Sequence, residues 1–98
     1  VESKKRELEA EVASAIVNTE GAHISLQLAE AGALAMQDNA RLMQRAYALG
    51  EADLQGLLLA RRQATVAAQN ALAARNSALK SYYLLLIDAH LIWDLEHD

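Results

Sequence analysis

His90, Asp94 and His97 are the residues whose types and spacing come closest to a chemical site. They lie at positions i, i+4 and i+7, so a helix would place them on one face, and imidazole and carboxylate groups are common metal ligands. Histidine is also favoured near a helix C-terminus because its charge complements the helix dipole. We therefore predict no metal site and keep these three residues as the alternative.

Enzymatic chemistry is not indicated elsewhere in the chain. The sequence has no nucleophile–base arrangement, no glycine-rich phosphate loop and no cysteine. Its nine Lys and Arg residues are scattered among thirteen Asp and Glu residues, for a formal net charge of −4. This leaves no concentrated basic face to follow a phosphate backbone. We expect no enzyme, no cofactor and no nucleic-acid partner.

The elements that must position any functional residue are two long helices. Proline is absent from the 98 residues and glycine occurs four times, so little opposes helix formation. Gly50 can take the left-handed conformation that ends a helix, and Glu51 and Asp53 are expected in the first turn of the next helix. The prediction is an all-α fold, a long antiparallel helical hairpin resembling a coiled coil, as one unit over residues 1–98. Its first arm is expected at about residues 2–48, its tip at 49–52 and its second arm at 53–96, and each arm should be about 70 Å long.

Each arm carries two apolar lines with a seven-residue repeat, which predicts two neighbours for each helix. In the first arm one line with its companion series comprises Leu8, Ala15, Ala22, Ala29, Met36, Met43 and Val12, Thr19, Leu26, Ala33, Ala40, Tyr47; the second includes Leu28, Ala35, Leu42 and Leu49. In the second arm one line comprises Leu58, Thr65, Leu72, Leu79, Leu86, Trp93, and the other Leu57, Ala64, Ala71, Ala78, Leu85, Ile92. The longest continuous apolar run, residues 82–87, is far shorter than the roughly 18 residues of a membrane-spanning helix.

Charged residues are spaced for pairs along the helix surface. Lys5 with Glu9 and Asp38 with Arg41 have i,i+4 and i,i+3 spacing. Four arginines lie at similar distances from Gly50 along the two arms, so they are expected side by side on the shaft: Arg41, Arg45, Arg61 and Arg62.

Two segments carry a family resemblance. From Tyr47 to Gln63 the chain has an aromatic, a variable and an aliphatic residue, glycine, a polar residue and then leucine-rich turns. This pattern resembles the periplasmic hairpin tip of TolC-like outer-membrane efflux proteins. The segment from Ile87 to Leu95 is similar to the Asp-Ala-x-x-Leu-Trp-x-Leu ending of the cation-exporting branch related to CzcC and CusC. The resemblance covers nearly the whole chain.

The resemblance implies an architecture and a function. Three copies of the complete protein would form an α-barrel of twelve helices beneath a membrane β-barrel, and this chain would be a periplasmic fragment of it in a Gram-negative bacterium. The homotrimer would conduct metal cations or small toxic compounds, with energy from an inner-membrane pump that a periplasmic adaptor (membrane fusion protein) joins to it. The docking residues for the adaptor would be the tip: Leu49, Gly50, Glu51, Ala52, Asp53 and Leu54.

One departure from the family and two alternatives remain. TolC itself has acidic residues one to two turns beyond the tip glycine, where this chain has Gly56 and Leu59; we therefore expect an apolar constriction or one formed by Glu51 and Asp53. The four arginines are either solvated charges or an adaptor-facing groove.

The alternative function is a structural antiparallel coiled-coil or scaffold segment without a transport role. Alternating strands before residue 1 would favour the channel, and continuing heptads would favour the scaffold. Excised from its neighbours, the hairpin is also expected to self-associate, for example as a four-helix bundle.

Overall fold

The computed structural model of the chain describes residues 2–97, which form two long helices. Helix α1 spans Glu2–Ala48 and helix α2 spans Leu54–His97. They run antiparallel, since Lys5 contacts Glu96 at one end of the molecule and Gln44 contacts Arg61 near the other. The molecule measures 72 × 15 × 14 Å. The predicted all-α helical hairpin is therefore confirmed.

The two helices meet along one continuous seam. In α1 the members of the predicted Leu8 and Val12 series are buried or half-buried, except Tyr47, which is 40% exposed near the tip. In α2 the line from Leu57 to Ile92 faces the seam, whereas every member of the neighbouring line from Leu58 to Trp93 is exposed. Each helix thus uses one of its two apolar lines to contact the other.

The seam is thin because it is built mainly from small side chains. Among residues 2–97, only Leu8, Leu57 and Ala60 are buried, and they keep 7%, 3% and 3% of their surface exposed. Thr19, the polar member of the α1 series, donates a hydrogen bond from Oγ1 to the carbonyl oxygen of Ser81 across the seam at 3.2 Å. Because a two-helix rod buries less of its surface than a compact domain of equal length, the hairpin has little core of its own.

Large apolar side chains cover much of the outward surface. Of those that are exposed, fourteen lie on α2 and seven on α1, and Leu49 lies in the tip. Neither helix has a stretch, within the described residues, that is long and apolar enough to cross a membrane. The second apolar lines predicted from the sequence are therefore present on the surface without a neighbour from this chain.

Candidate functional site

The hairpin tip begins where α1 ends. Gly50 has a φ of +76°, in the left-handed region that costs residues with a Cβ about 1–2 kcal/mol. The amide of Gly50 donates to the carbonyl oxygen of Tyr47 at 3.1 Å, and that of Glu51 donates to Ala46 at 2.8 Å. These two bonds form a Schellman motif, in which a left-handed glycine closes the helix. Gly50 is thus the residue that turns the chain out of α1.

Asp53 starts the second helix as its N-cap. Its Oδ1 accepts a hydrogen bond from the amide of Gly56 at 2.8 Å, and its carbonyl oxygen accepts one from Leu57 at 3.2 Å. The expectation that Glu51 and Asp53 lie in the first turn of α2 is wrong, because the first turn contains no acidic residue. The connection covers residues 49–53 because the capping aspartate stays outside the helix.

The predicted docking residues lie together at one end of the rod. Leu49 and Leu54 are 67% and 51% exposed on either side of the exposed Glu51 and Asp53, while Ala52 is half-buried. The tip therefore presents two apolar side chains beside two carboxylates. Such a surface can bind a partner that supplies an apolar contact together with hydrogen-bond donors or positive charge.

Neither protein-family models, curated proteins nor solved structures give a match to this chain. The functional interpretation of the tip therefore rests on its own residues and on the sequence resemblance described above.

Gly56 is the point of closest approach below the tip. A Cβ added to Gly56 would lie 2.9 Å from Cε of Met43 on the facing helix, whereas one added to Gly21 or Gly32 would meet nothing within 4 Å. Gly56 therefore marks a close contact between the helices. It supplies no side chain at the level where TolC has acidic residues. Leu59, the other position considered for a constriction, is 57% exposed.

The four shaft arginines do not form a single cluster. Arg61 donates from Nη2 to Oε1 of Gln44 across the seam. Arg41 and Arg45 line one shallow groove with Gln44, whereas Arg62 lines a different groove. The structure therefore groups Arg41, Arg45 and Arg61 around Gln44 at the surface and places Arg62 in a separate groove.

The charged pairs follow the predicted spacing only in part. Arg41 Nη2 lies 3.2 Å from Oδ1 of Asp38, as the i,i+3 spacing predicts. Nζ of Lys5 lies 3.6 Å from Oε1 of Glu96 on the other helix, whereas the sequence suggested Glu9 as its partner. The Lys5–Glu96 pair ties the two helices together at the end opposite the tip.

The His90, Asp94 and His97 group is only partly assembled. Nε2 of His90 lies 3.5 Å from Oδ2 of Asp94. His97 instead lies with Nδ1 2.8 Å from the carbonyl oxygen of Trp93, and its ring stacks on the indole with a centroid separation of 4.2 Å. Among residues 2–97, no three His, Cys, Asp or Glu residues are grouped so that they could hold a metal ion.

One surface feature extends the predicted second apolar line of α2. Tyr83, Leu86, Ile87, His90 and Leu91 line a shallow apolar groove on the outward side of α2. Leu86 belongs to the predicted line, and the apolar run over residues 82–87 is the sequence signal for its neighbours. Its exposure indicates a surface suited to another helix.

Proposed function

We propose that this chain is a wall segment of a trimeric outer-membrane efflux channel and that its tip docks a periplasmic adaptor. The channel would export metal cations or small toxic compounds, with energy supplied by an inner-membrane pump. The observation that carries the proposal is that both helices of a 72 Å rod keep a second apolar line exposed.

A closed wall of helices requires each helix to have a neighbour on two sides. The seam supplies one neighbour for α1 and one for α2. Leu28 of α1 is 71% exposed and Leu72 of α2 is 60% exposed, so each helix has an apolar line for a second neighbour. Contiguous exposed apolar surface of this kind is typical of interfaces.

The tip supports the docking part of the proposal. The chain reverses within residues 49–53, so the end of the rod is narrow and its side chains are accessible. Leu49 and Leu54 would insert into apolar sites on the adaptor's helical hairpin, and Glu51 would accept hydrogen bonds from it. Asp53 is already the N-cap acceptor of α2, so its second oxygen remains for the partner.

The alternative is a structural scaffold segment. Its support is the six-repeat seam, which any antiparallel coiled coil would share. The scaffold gives no role to an exposed tip with paired leucines and carboxylates. The sequence flanking the hairpin distinguishes the two, since membrane strands belong to the channel and further heptads to the scaffold.

The proposal is tested by Gly50 variants of the longer protein in bacterial cells. Gly50→Val places a β-branched residue at a φ of +76°, whereas Gly50→Asn serves as the matched control because asparagine tolerates the left-handed region. We expect Gly50→Val to abolish resistance to the exported compounds while the trimer still forms, and Gly50→Asn to retain most of it. Undiminished export by Gly50→Val would contradict the proposal.

A second pair of variants tests docking without altering the turn. Leu49→Ser and Leu54→Ser change exposed side chains, so the hairpin should fold as before. Together they should reduce site-specific crosslinking between the tip and the adaptor. Leu34→Ser should leave it unchanged, because Leu34 is 64% exposed on α1 and belongs to neither apolar line. Equal crosslinking by the parent protein, the combined tip variant and the control variant would exclude the tip as the docking surface.

A further inference from the structure

We propose that a second copy of this chain docks on the outward face of α2 and runs tip to base, so that two hairpins form a four-helix assembly joined through their α2 helices. The contact surface is the α2 leucine line, defined as Leu58, Leu72, Leu79, Leu86 and Trp93. The inference concerns the 98-residue chain itself and does not depend on the proposed channel, in which all tips would point the same way.

The α2 leucine line is an uncovered apolar line that runs along nearly the whole of α2. Its members are 45–60% exposed, and α2 carries twice as many exposed large apolar side chains as α1. The seam covers the adjacent alanine-rich line instead, so the bulkiest side chains of α2 remain in water. A partner helix would bury these side chains, which is favourable because it removes apolar surface from water.

The spacing of the line suits a two-fold, antiparallel contact. Together with Thr65 its positions are symmetric about a point between residues 75 and 76, so Leu72 of one copy would meet Leu79 of the other, Leu58 would meet Trp93 and Leu86 would meet Thr65. In a two-fold interface each such contact occurs twice. Arg75 is exposed and lies near the two-fold axis, where it would face Arg75 of the other copy. Its long side chain can place the guanidinium group in solvent, away from the equivalent charge.

The available area matches that of a stable dimer. Helix α2 has 44 residues and is therefore about 66 Å long, and a helix with its side chains is about 10–12 Å wide. A contact along the whole of this length covers on the order of 700 Å² per copy, close to the roughly 800 Å² per partner of standard protein interfaces. One helix face is thus enough, without a contribution from α1.

Charge decides the direction of the second copy. The tip half, residues 25–75, carries the four shaft arginines and Arg75 against four acids, Glu30, Asp38, Glu51 and Asp53. The opposite half, residues 2–24 and 76–97, is acidic, with four basic residues, Lys4, Lys5, Arg6 and Lys80, against eight acids: Glu2, Glu7, Glu9, Glu11, Glu20, Asp88, Asp94 and Glu96.

A tip-to-base arrangement brings these opposite ends together. Arg62 and Asp88 lie at nearly equal distances on either side of the α2 midpoint, so they would be at the same level in the two copies. A parallel arrangement would instead place the two acidic ends side by side, where like charges repel.

The test uses the 98-residue chain, which has no cysteine of its own. Analytical ultracentrifugation measures its assembly, and spin labels on Glu51→Cys at the tip or Ser3→Cys at the base measure direction. We expect a dimer with tip labels about 70 Å apart, the length of the rod. In a mixture of tip-labelled and base-labelled chains, the tip label of one copy should lie near the base label of the other, at a separation much shorter than the 72 Å length of the rod.

Paired substitutions test the surface. Leu72→Lys with Leu79→Lys should convert the dimer to monomer, whereas Asn18→Lys with Ser25→Lys, which adds the same charge at exposed polar positions of α1, should leave it dimeric. Circular dichroism shows whether each variant remains helical. The label distances are measured without the lysine substitutions, so they test the direction of the second copy even if a substituted chain unfolds. A monomeric parent chain, tip labels in contact, or a dimer that survives the α2 substitutions would each overturn the proposal. None of these outcomes bears on export by the longer protein.

Discussion

The methyl end of Met43 occupies the space that a side chain at Gly56 would fill. A Cβ on Gly56 would lie 2.9 Å from Cε of Met43 and 3.0 Å from Oδ1 of Asp53, distances that require both groups to move. The glycine therefore allows the methionine of α1 to pack directly on the backbone of α2, one turn from the tip.

This contact predicts different effects for two otherwise similar substitutions. Gly21→Ala should raise the free energy of unfolding by about 0.5–1 kcal/mol, because alanine favours helix and the site is open. Gly56→Ala should gain clearly less, or lose stability, because Met43 and the Asp53 cap must shift. Urea denaturation followed by circular dichroism measures both. Equal gains at the two positions would show that the close contact has no energetic effect.

The N-cap at Asp53 predicts a specific loss of stability. Asp53→Ala should lower the free energy of unfolding by about 1 kcal/mol, because it removes the acceptor for the Gly56 amide. Asp53→Asn should retain most of the stability because asparagine is an equally good cap. Glu51→Ala is the control, since Glu51 is exposed and its change should stay within about 0.5 kcal/mol. Thermal and urea unfolding of the three variants distinguish capping from a general effect of acidic charge.

Burial predicts which leucines support the hairpin. Leu57 is 3% exposed, so Leu57→Ala should cost about 2–3 kcal/mol through lost burial and the cavity left behind. Leu28→Ala removes the same atoms from a side chain that is 71% exposed, and its cost should be below about 1 kcal/mol. Equal costs, measured at a concentration at which both variants are in the same oligomeric state, would mean that the seam lies elsewhere.

The Lys5–Glu96 pair predicts a weak, salt-sensitive link between the helix ends. Both side chains are partly exposed, so a double-mutant cycle with Lys5→Gln and Glu96→Gln should give a coupling of about 0.2–1 kcal/mol at low ionic strength. The coupling should decrease in 1 M salt, where the Debye length is about 3 Å. A cycle of Lys5→Gln with Glu9→Gln is the control and should show no larger coupling. If it did, the intrahelical pair suggested by sequence spacing would be the real one.

The hairpin was predictable from sequence because the heptad repeat and the single strong interruption both act locally. In α1 the repeat also identified the inward face, because the Leu8 and Val12 series together form the longest regular apolar stripe of that helix. In α2 two apolar lines lie side by side, and residue type favours burial of Leu58 over Ala64. The structure buries the alanine line because small side chains allow the helices to approach closely. The strip of Ala60, Ala67 and Ala74 beside that line is the sequence signal for this close packing.

The tip was predictable in part. Gly50 was identified from its ability to adopt a left-handed conformation, and its φ agrees. Asp53 was expected inside the helix, although aspartate directly before a helix is a usual capping signal. Lys5 was matched with Glu9 because only the register between the two helices, fixed by tertiary packing, brings Glu96 within reach.

The Lys5–Glu96 contact also means that the polypeptide enters and leaves the rod at the same place. A hairpin of this kind can be inserted into a longer chain between two adjacent positions without separating them. Adding seven residues to each helix would advance the tip by about 10.5 Å and keep the same faces paired. The reach of such a protein can therefore change in whole repeats while its point of attachment stays as it is.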